Sequence, residues 1–229
     1  MKRKVLQEER EEWRRREFRR GIILAAEKII VARGTAGMTM DNVSREAQLS
    51  KATLYHYFRS KGELLLEILG HFFEDLEQGI RKINRLPLSA SDRLKKGIHF
   101  YLRFNEEKEN ISRMLMMDRS FLEKMHVFTS PESRLTSEVD RRFITKMKAK
   151  RKDMLDGAAG LLEEGIASGE FRKIDVPGAV VFLESLLQGY CHVRFWHDKP
   201  VSAKAATDII YDLVLQGIGK KDGPDKGAL

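Results

Sequence analysis

An all-α architecture follows from three features of this 229-residue chain. Apolar residues recur at steps of three and four along most of its length, and Gly, Pro, Ser and Asp stand where those periods break. Strict alternation of apolar and polar residues persists nowhere between turn signals, so no strand is expected. At 42% hydrophobic and 33% charged residues the composition is globular, and a charged fraction above the usual quarter suits helices with solvated outer faces. The length accommodates a small domain joined to a larger one.

Phe18, Ile22, Ala25, Ala26 and Ile29 share one face of a first helix, which ends near Arg33 and Gly34. The pairs Glu11/Arg15 and Glu12/Arg16 extend it back toward Glu8. Thr39 is the N-cap candidate for a two-turn helix carrying Met40, Val43 and Ala47, and Ser50 for the next, "KATLYHYF". Ser60 precedes a long helix from Lys61 to about 85. After the breaker "LPLSASD", helical periods run from Asp92 to about Asn105 and from Asn110 to about Phe128. Ser130 before Pro131 starts another, stopped by Gly169; Asp175 caps a helix from Pro177 to Trp196, and Ser202 the last, ending near Gly217. The expected division is 1–62, 63–221, and a disordered tail over 222–229.

Charge is placed unevenly. Residues 1–60 hold 14 Lys and Arg against 8 Asp and Glu, a net of +6, whereas the rest holds 28 against 26, a net of +2. A cationic first quarter points to a polyanion partner. The single cysteine, Cys191, excludes an internal disulfide and fits a reducing compartment, so the cytoplasm is the expected location; no stretch is long and apolar enough for a membrane span. Catalytic signatures are missing: no G-x-S-x-G, Walker loop or H-E-x-x-H occurs, and the six histidines are scattered, so neither enzyme activity, metal nor cofactor is expected.

The segment "QLSKATLYHYFRSKGEL" sets Tyr55, Tyr57 and Phe58 among Lys51, Arg59 and Lys61. Two short helices joined by a tight turn make a helix-turn-helix, whose second helix presents its first residues to base edges in the major groove. Lys51 can donate to guanine, and the small Ala52 can approach a thymine methyl. Tyr55 shares the face of Lys51, while Leu54 and Phe58, at i and i+4, can plug the helix onto a core.

The run "TMDNVSREAQLSKATLYHYFRSKGELL", together with the helix before it, resembles the DNA-binding domain of the tetracycline-repressor family over about residues 14–66. The resemblance implies a homodimer with an amino-terminal reader and a larger carboxy-terminal domain that binds a ligand and dimerises through its last two helices. Carried over by position, Lys51, Ala52 and Tyr55 face bases, and Thr39, Tyr57 and Lys61 face phosphates. Gln48 stands where the family usually has Gly. A left-handed backbone there costs a residue with a Cβ roughly 1 kcal/mol.

In the second domain, Met114, Met116, Met117 and Met125 crowd one predicted helix with Phe121; methionine repacks around irregular shapes. Tyr101, Met114, Met117, Phe121 and Met125 are therefore the candidates for a ligand cavity. The last two helices carry Val180, Leu183, Leu187, Tyr190, Ile210, Leu213 and Val214, more apolar surface than one subunit hides, and are the expected dimer contacts. The functional expectation is a homodimeric regulator, a repressor that binds a palindromic operator in double-stranded DNA and is released by a small, apolar-bodied effector. Rival readings are a DNA-binding protein whose second domain docks a protein or no ligand, and a peripheral membrane protein using the basic first helix.

Overall fold

A computed structural model describes residues 2–117, 138–199 and 201–218. Its helices are α1 (Lys2–Gly37), α2 (Met40–Glu46), α3 (Lys51–Tyr57), α4 (Lys61–Asn84), α5 (Ala90–Glu107), α6 (Glu109–Met117), α7 (Glu138–Ala167), α8 (Val176–Val193) and α9 (Ala203–Ile218), with a 3-10 turn over Arg194–Trp196 between the last two. No strand occurs among the described residues.

The chain forms two compact units. The first comprises the described residues of Met1–Phe72 and Lys108–Ile144, the second those of Phe73–Glu107 and Thr145–Leu229. The first unit thus takes in half of α4, and α6, beyond the boundary at residue 62 read from the sequence. Its core explains this: Ile22, Ala26 and Ile30 of α1, Val43 of α2, Leu54 of α3 and Leu64, Ile68 and Leu69 of α4 are all fully buried. Fixing so short a pair of helices as α2 and α3 needs such packing, because helices of seven residues are not stable alone.

Alpha1 is helical up to Gly34, whose φ of +68° and ψ of −179° lie in a region only glycine enters readily, and one turn follows before α2. Helix α5 starts two residues earlier than the spacing predicts, because the Ser89 hydroxyl accepts the Asp92 N–H at 3.0 Å. Asp175 occupies the N-cap of α8, but its carboxylate makes no capping hydrogen bond. It lies instead over Gly178, where a Cβ would come within 2.4 Å of its Oδ2. Gly169, with φ +79°, ends α7. The Ser130-Pro131 cap and the tail fall outside the described residues.

Within the second unit α5 is the central element, with α8 and α9 packed on it. Glu170, past the end of α7, accepts the N–H groups of Ala90 and Ser91 at 3.2 and 2.9 Å, closing the open start of α5 from eighty residues away. Those backbone donors hold the Glu170 carboxyl below its ordinary range.

Candidate nucleic-acid interface and ligand chamber

In the first unit each cap read from the sequence is made. The Thr39 hydroxyl accepts the Asn42 N–H at 3.1 Å and Ser50 accepts Thr53 N–H at 3.0 Å. At α4, Ser60 accepts Glu63 N–H at 3.1 Å while the Glu63 carboxylate accepts Arg59 N–H at 2.8 Å, a reciprocal closure close to a capping box. Gln48, between α2 and α3, has φ +55°, the left-handed conformation that the family's glycine would take without strain.

The turn sets α3 with Leu54 and Phe58 fully buried, each burial worth about 1.5–3 kcal/mol. Arg19 of α1 lies 4.3 Å over the Phe58 ring, donates to Tyr57 O at 2.9 Å and pairs with Glu67 at 3.3 Å, locking the carboxyl end of α3. The opposite face is open: Lys51, Ala52, Tyr55 and His56 are exposed. Of the positions assigned to phosphates, Thr39 is exposed, and Tyr57 is half-buried and stacks on Phe18 with ring centroids 5.7 Å apart. The Lys61 ammonium donates to Thr35 O at 2.8 Å, just past the break in α1. Lys51 is not idle either, since its ammonium lies 2.8 Å from the carboxylate of Asp41, one helix earlier. Sequence reasoning missed Asp41, and the ten-residue separation across a turn of unknown angle carried no signal for it.

The second unit holds a mainly apolar, half-open chamber of about 180 Å³. Leu76 and Ile80 of α4, Leu94, Gly97, Ile98 and Tyr101 of α5, Met154, Leu155 and Leu161 of α7, and Val180, Leu183 and Leu187 of α8 line it. A bidentate pair spans α7 and α8 at its wall: Arg151 donates Nε to one Glu184 oxygen at 2.8 Å and Nη2 to the other at 2.5 Å. Burial pushes the Tyr101 phenol above its ordinary pKa, so it stays a neutral hydroxyl.

Of the five residues proposed for a ligand cavity, Tyr101 lines this chamber. Met114 is buried in the first unit instead, on α6, which packs against α1. Lys108 pairs there with Glu27 at 3.5 Å and Asn110 donates to Val31 O at 2.8 Å. The side chain of Met117, and all of Phe121 and Met125, lie outside the described residues.

The residues expected at a dimer contact divide between two faces. Val180, Leu183 and Leu187 turn into the subunit and wall the chamber. Ile210 is buried, Val214 half-buried, and Tyr190 spends its hydroxyl on Val201 O. Leu213, at 58% exposure, is the one of the seven that faces fully outward. The apolar surface left open on these helices includes Val181, Phe182, Leu186 and Val193 of α8 and Ile209 and Leu213 of α9, with Phe182 77% exposed. Periodicity showed that α8 is apolar on two faces but could not tell which would be inward. Cys191 is buried, its thiol pushed up to about 11 by desolvation, which leaves it unreactive.

Residues 22–68, which contain the whole helix-turn-helix, match the profile of the bacterial regulatory proteins of the tetR family. Among curated relatives, the transcriptional activator FasR of Mycolicibacterium smegmatis is 32% identical over 101 residues, 44% of this chain and 46% of that protein. The fatty acid metabolism regulator protein of Bacillus subtilis is 24% identical over 207 residues, covering 87% of this chain and 95% of the other. Among solved structures, that of FadR from Bacillus subtilis in complex with stearoyl-CoA superposes with a TM-score of 0.62 at 21% identity, covering 86% of this chain and 98% of that one. The match to the first of these spans less than half of its length, while the other two extend the likeness of fold over nearly the whole chain. With the family profile seated on the two capped helices and their turn, residues 22–68 form a helix-turn-helix domain of the kind found in the bacterial regulatory proteins of the tetR family.

Proposed function

We propose that this protein is a repressor that binds a palindromic operator as a homodimer and releases it when a small apolar-bodied molecule enters the chamber of the second unit. The observation that carries the DNA-reading part is the two-faced α3: its Leu54 and Phe58 are fixed in a core, and Lys51, Ala52 and Tyr55 are exposed on the other face. In that role Lys51 and Ala52 meet base edges, Tyr55 follows one turn later, and Thr39, Tyr57 and Lys61 hold the backbone, so that phosphate contacts position and base contacts specify.

The outward apolar strip of α8 and α9 is the surface for the second copy, because Phe182, Val181, Ile209 and Leu213 would otherwise leave a large patch in water. The chamber is the effector site. At about 180 Å³ it compares with a cavity of about 150 Å³ that takes a single benzene ring, so a ring or a short alkyl segment fits without rearrangement. Helix α4 runs uninterrupted from Lys61 to Asn84 and supplies Leu76 and Ile80 to the chamber. An effector that prefers one placement of α4 shifts the population of DNA-competent molecules, and a near-complete shift needs ~10⁴-fold preference between states.

Selection of bound sequences from random duplexes tests the reading. A palindrome with half-sites about one helical turn apart supports a dimer reading two major grooves; enrichment of a single unrepeated site, or of no site, refutes it. Transcription from a promoter carrying the selected site, measured with and without the protein, decides repression against activation.

A further inference from the structure

The geometry points to an acidic effector: an apolar body in the chamber with its carboxylate on Arg93. The inference rests on the proposed effector role of the chamber and specifies the ligand class that role would take. Beside the chamber lies a second, more polar cavity of about 290 Å³ between α4, α5 and α7. The two share Ile80, Asn84, Arg93, Met154 and Leu161 as walls, so Arg93 borders both. The polar side adds Arg81 and Arg85, with Glu77, Asp153 and Glu164 facing them.

Arg93 is 7% exposed, and its guanidinium is only partly used. Nη1 donates to Asn84 O at 2.9 Å and Nη2 to the Glu164 carboxylate, but Nε, fully buried, has no acceptor among the described residues. A buried N–H without a partner forfeits its hydration and gains nothing in return, so an incoming oxygen is favoured there. A carboxylate suits the fork better than a neutral oxygen, since it can take two parallel N–H groups with charge assistance. Its rival for the fork gives way readily: the Glu164 side chain is 58% exposed and can turn to water. Of the remaining carboxylates of the cleft, Glu77 is already answered by Lys150 at 2.9 Å and by Arg81.

The probe is a matched pair, octanoate and 1-octanol, titrated calorimetrically into the full-length protein at neutral pH. Wild type is expected to bind octanoate roughly tenfold or more tighter than octanol, the ratio a charge-assisted hydrogen bond gives. Arg93→Lys keeps the charge but has no Nε–H, and is expected to bring the two affinities to within about threefold. A thermal melt checks that Arg93→Lys folds, and if it does not, the wild-type ratio alone decides. Equal binding of the two probes by wild type, as when a water already satisfies Nε, overturns the acidic head and leaves the apolar chamber standing. A preference that survives Arg93→Lys in folded protein overturns the role of Arg93. Binding of neither probe overturns the effector chamber itself and this inference with it.

Discussion

The ammonium of Lys51 lies 2.8 Å from the carboxylate of Asp41, across the turn that joins α2 to α3. Both side chains are more than half exposed, so the pair adds at most about 1 kcal/mol to stability and is easily surrendered. In the proposed reading Asp41 therefore holds the lysine in reach of the groove at little cost to its release. Asp41→Asn removes a negative charge beside the DNA and is expected to tighten operator binding several-fold at low salt, less at high salt. Lys51→Ala is expected to cost about 1–3 kcal/mol on the selected operator and to relax preference at one position per half-site. A panel of single-base operator changes measures both; an unchanged preference profile for Lys51→Ala shows that α3 does not read with this residue.

Lys61 has two tasks under this reading. Its ammonium already donates to Thr35 O, and an ammonium has three protons, so a phosphate can share it. Lys61→Ala is expected to weaken all DNA sequences alike and to flatten the slope of log affinity against log salt by ~1 per subunit. It should also lower stability by about 1 kcal/mol, through the carbonyl it leaves unpaired. Salt titrations and urea melts separate the two effects.

At the proposed subunit contact, Phe182→Glu and Leu187→Glu are expected to fail in different ways. Phe182 is exposed, so Phe182→Glu leaves the fold intact and gives a monomer with weak operator affinity by sedimentation. Leu187 walls the chamber, and Leu187→Glu places a charge in an apolar interior, destabilising the unit by several kcal/mol. A monomeric wild type at micromolar concentration refutes the contact.

Gly97 faces the chamber from the middle of α5, and a Cβ added there meets nothing within 4 Å. Gly97→Ala is expected to raise stability by about 0.5–1 kcal/mol through helix propensity alone. Gly97→Leu should fill the chamber and abolish effector response while leaving operator affinity in its absence unchanged. Loss of both activities together assigns Gly97 to packing only.

Acid sensitivity is expected to centre on Glu77. The hydrogen bond from Lys150, with the charges of Lys150 and Arg81, holds this buried carboxyl below its ordinary value of 4.5. A depressed folded-state pKa means the stabilisation is complete above the unfolded value and drains away as the pH falls through the folded one. Wild type should therefore lose stability steeply below about pH 4.5, and Glu77→Gln should flatten that limb. Removing one partner of a pair buried to this degree costs about 3–5 kcal/mol, visible in urea melts at pH 7.

The reader domain was legible in the sequence because its determinants are local. Thr39, Ser50 and Ser60 cap within three residues, Leu54 and Phe58 recur at one helical turn, and the backbone at Gln48 follows from the turn it must make. The second unit was legible as helices but not as a site. Whether Val180 or Val181 looks inward depends on how α8 is rotated against α5, and Met114 went to α1 through contacts about eighty residues apart in sequence. Arg93 gave no signal at all, because its distinguishing property, an N–H without a partner, exists only once Asn84 and Glu164 have been brought to it.

Helix α8 is a partition wall. One side, at Val180, Leu183 and Leu187, is lining for the chamber, and the other, at Val181, Phe182 and Leu186, is the outward strip. A helix is only about 10–12 Å across with its side chains, so in a dimer closed through that strip the two chambers stand back to back with little more than two such walls between them. An effector that displaces the wall on filling the first chamber alters the neighbour's before anything enters it. Occupancy should therefore follow a curve with a Hill coefficient different from one, and Phe182→Glu, by parting the walls, should return it to unity.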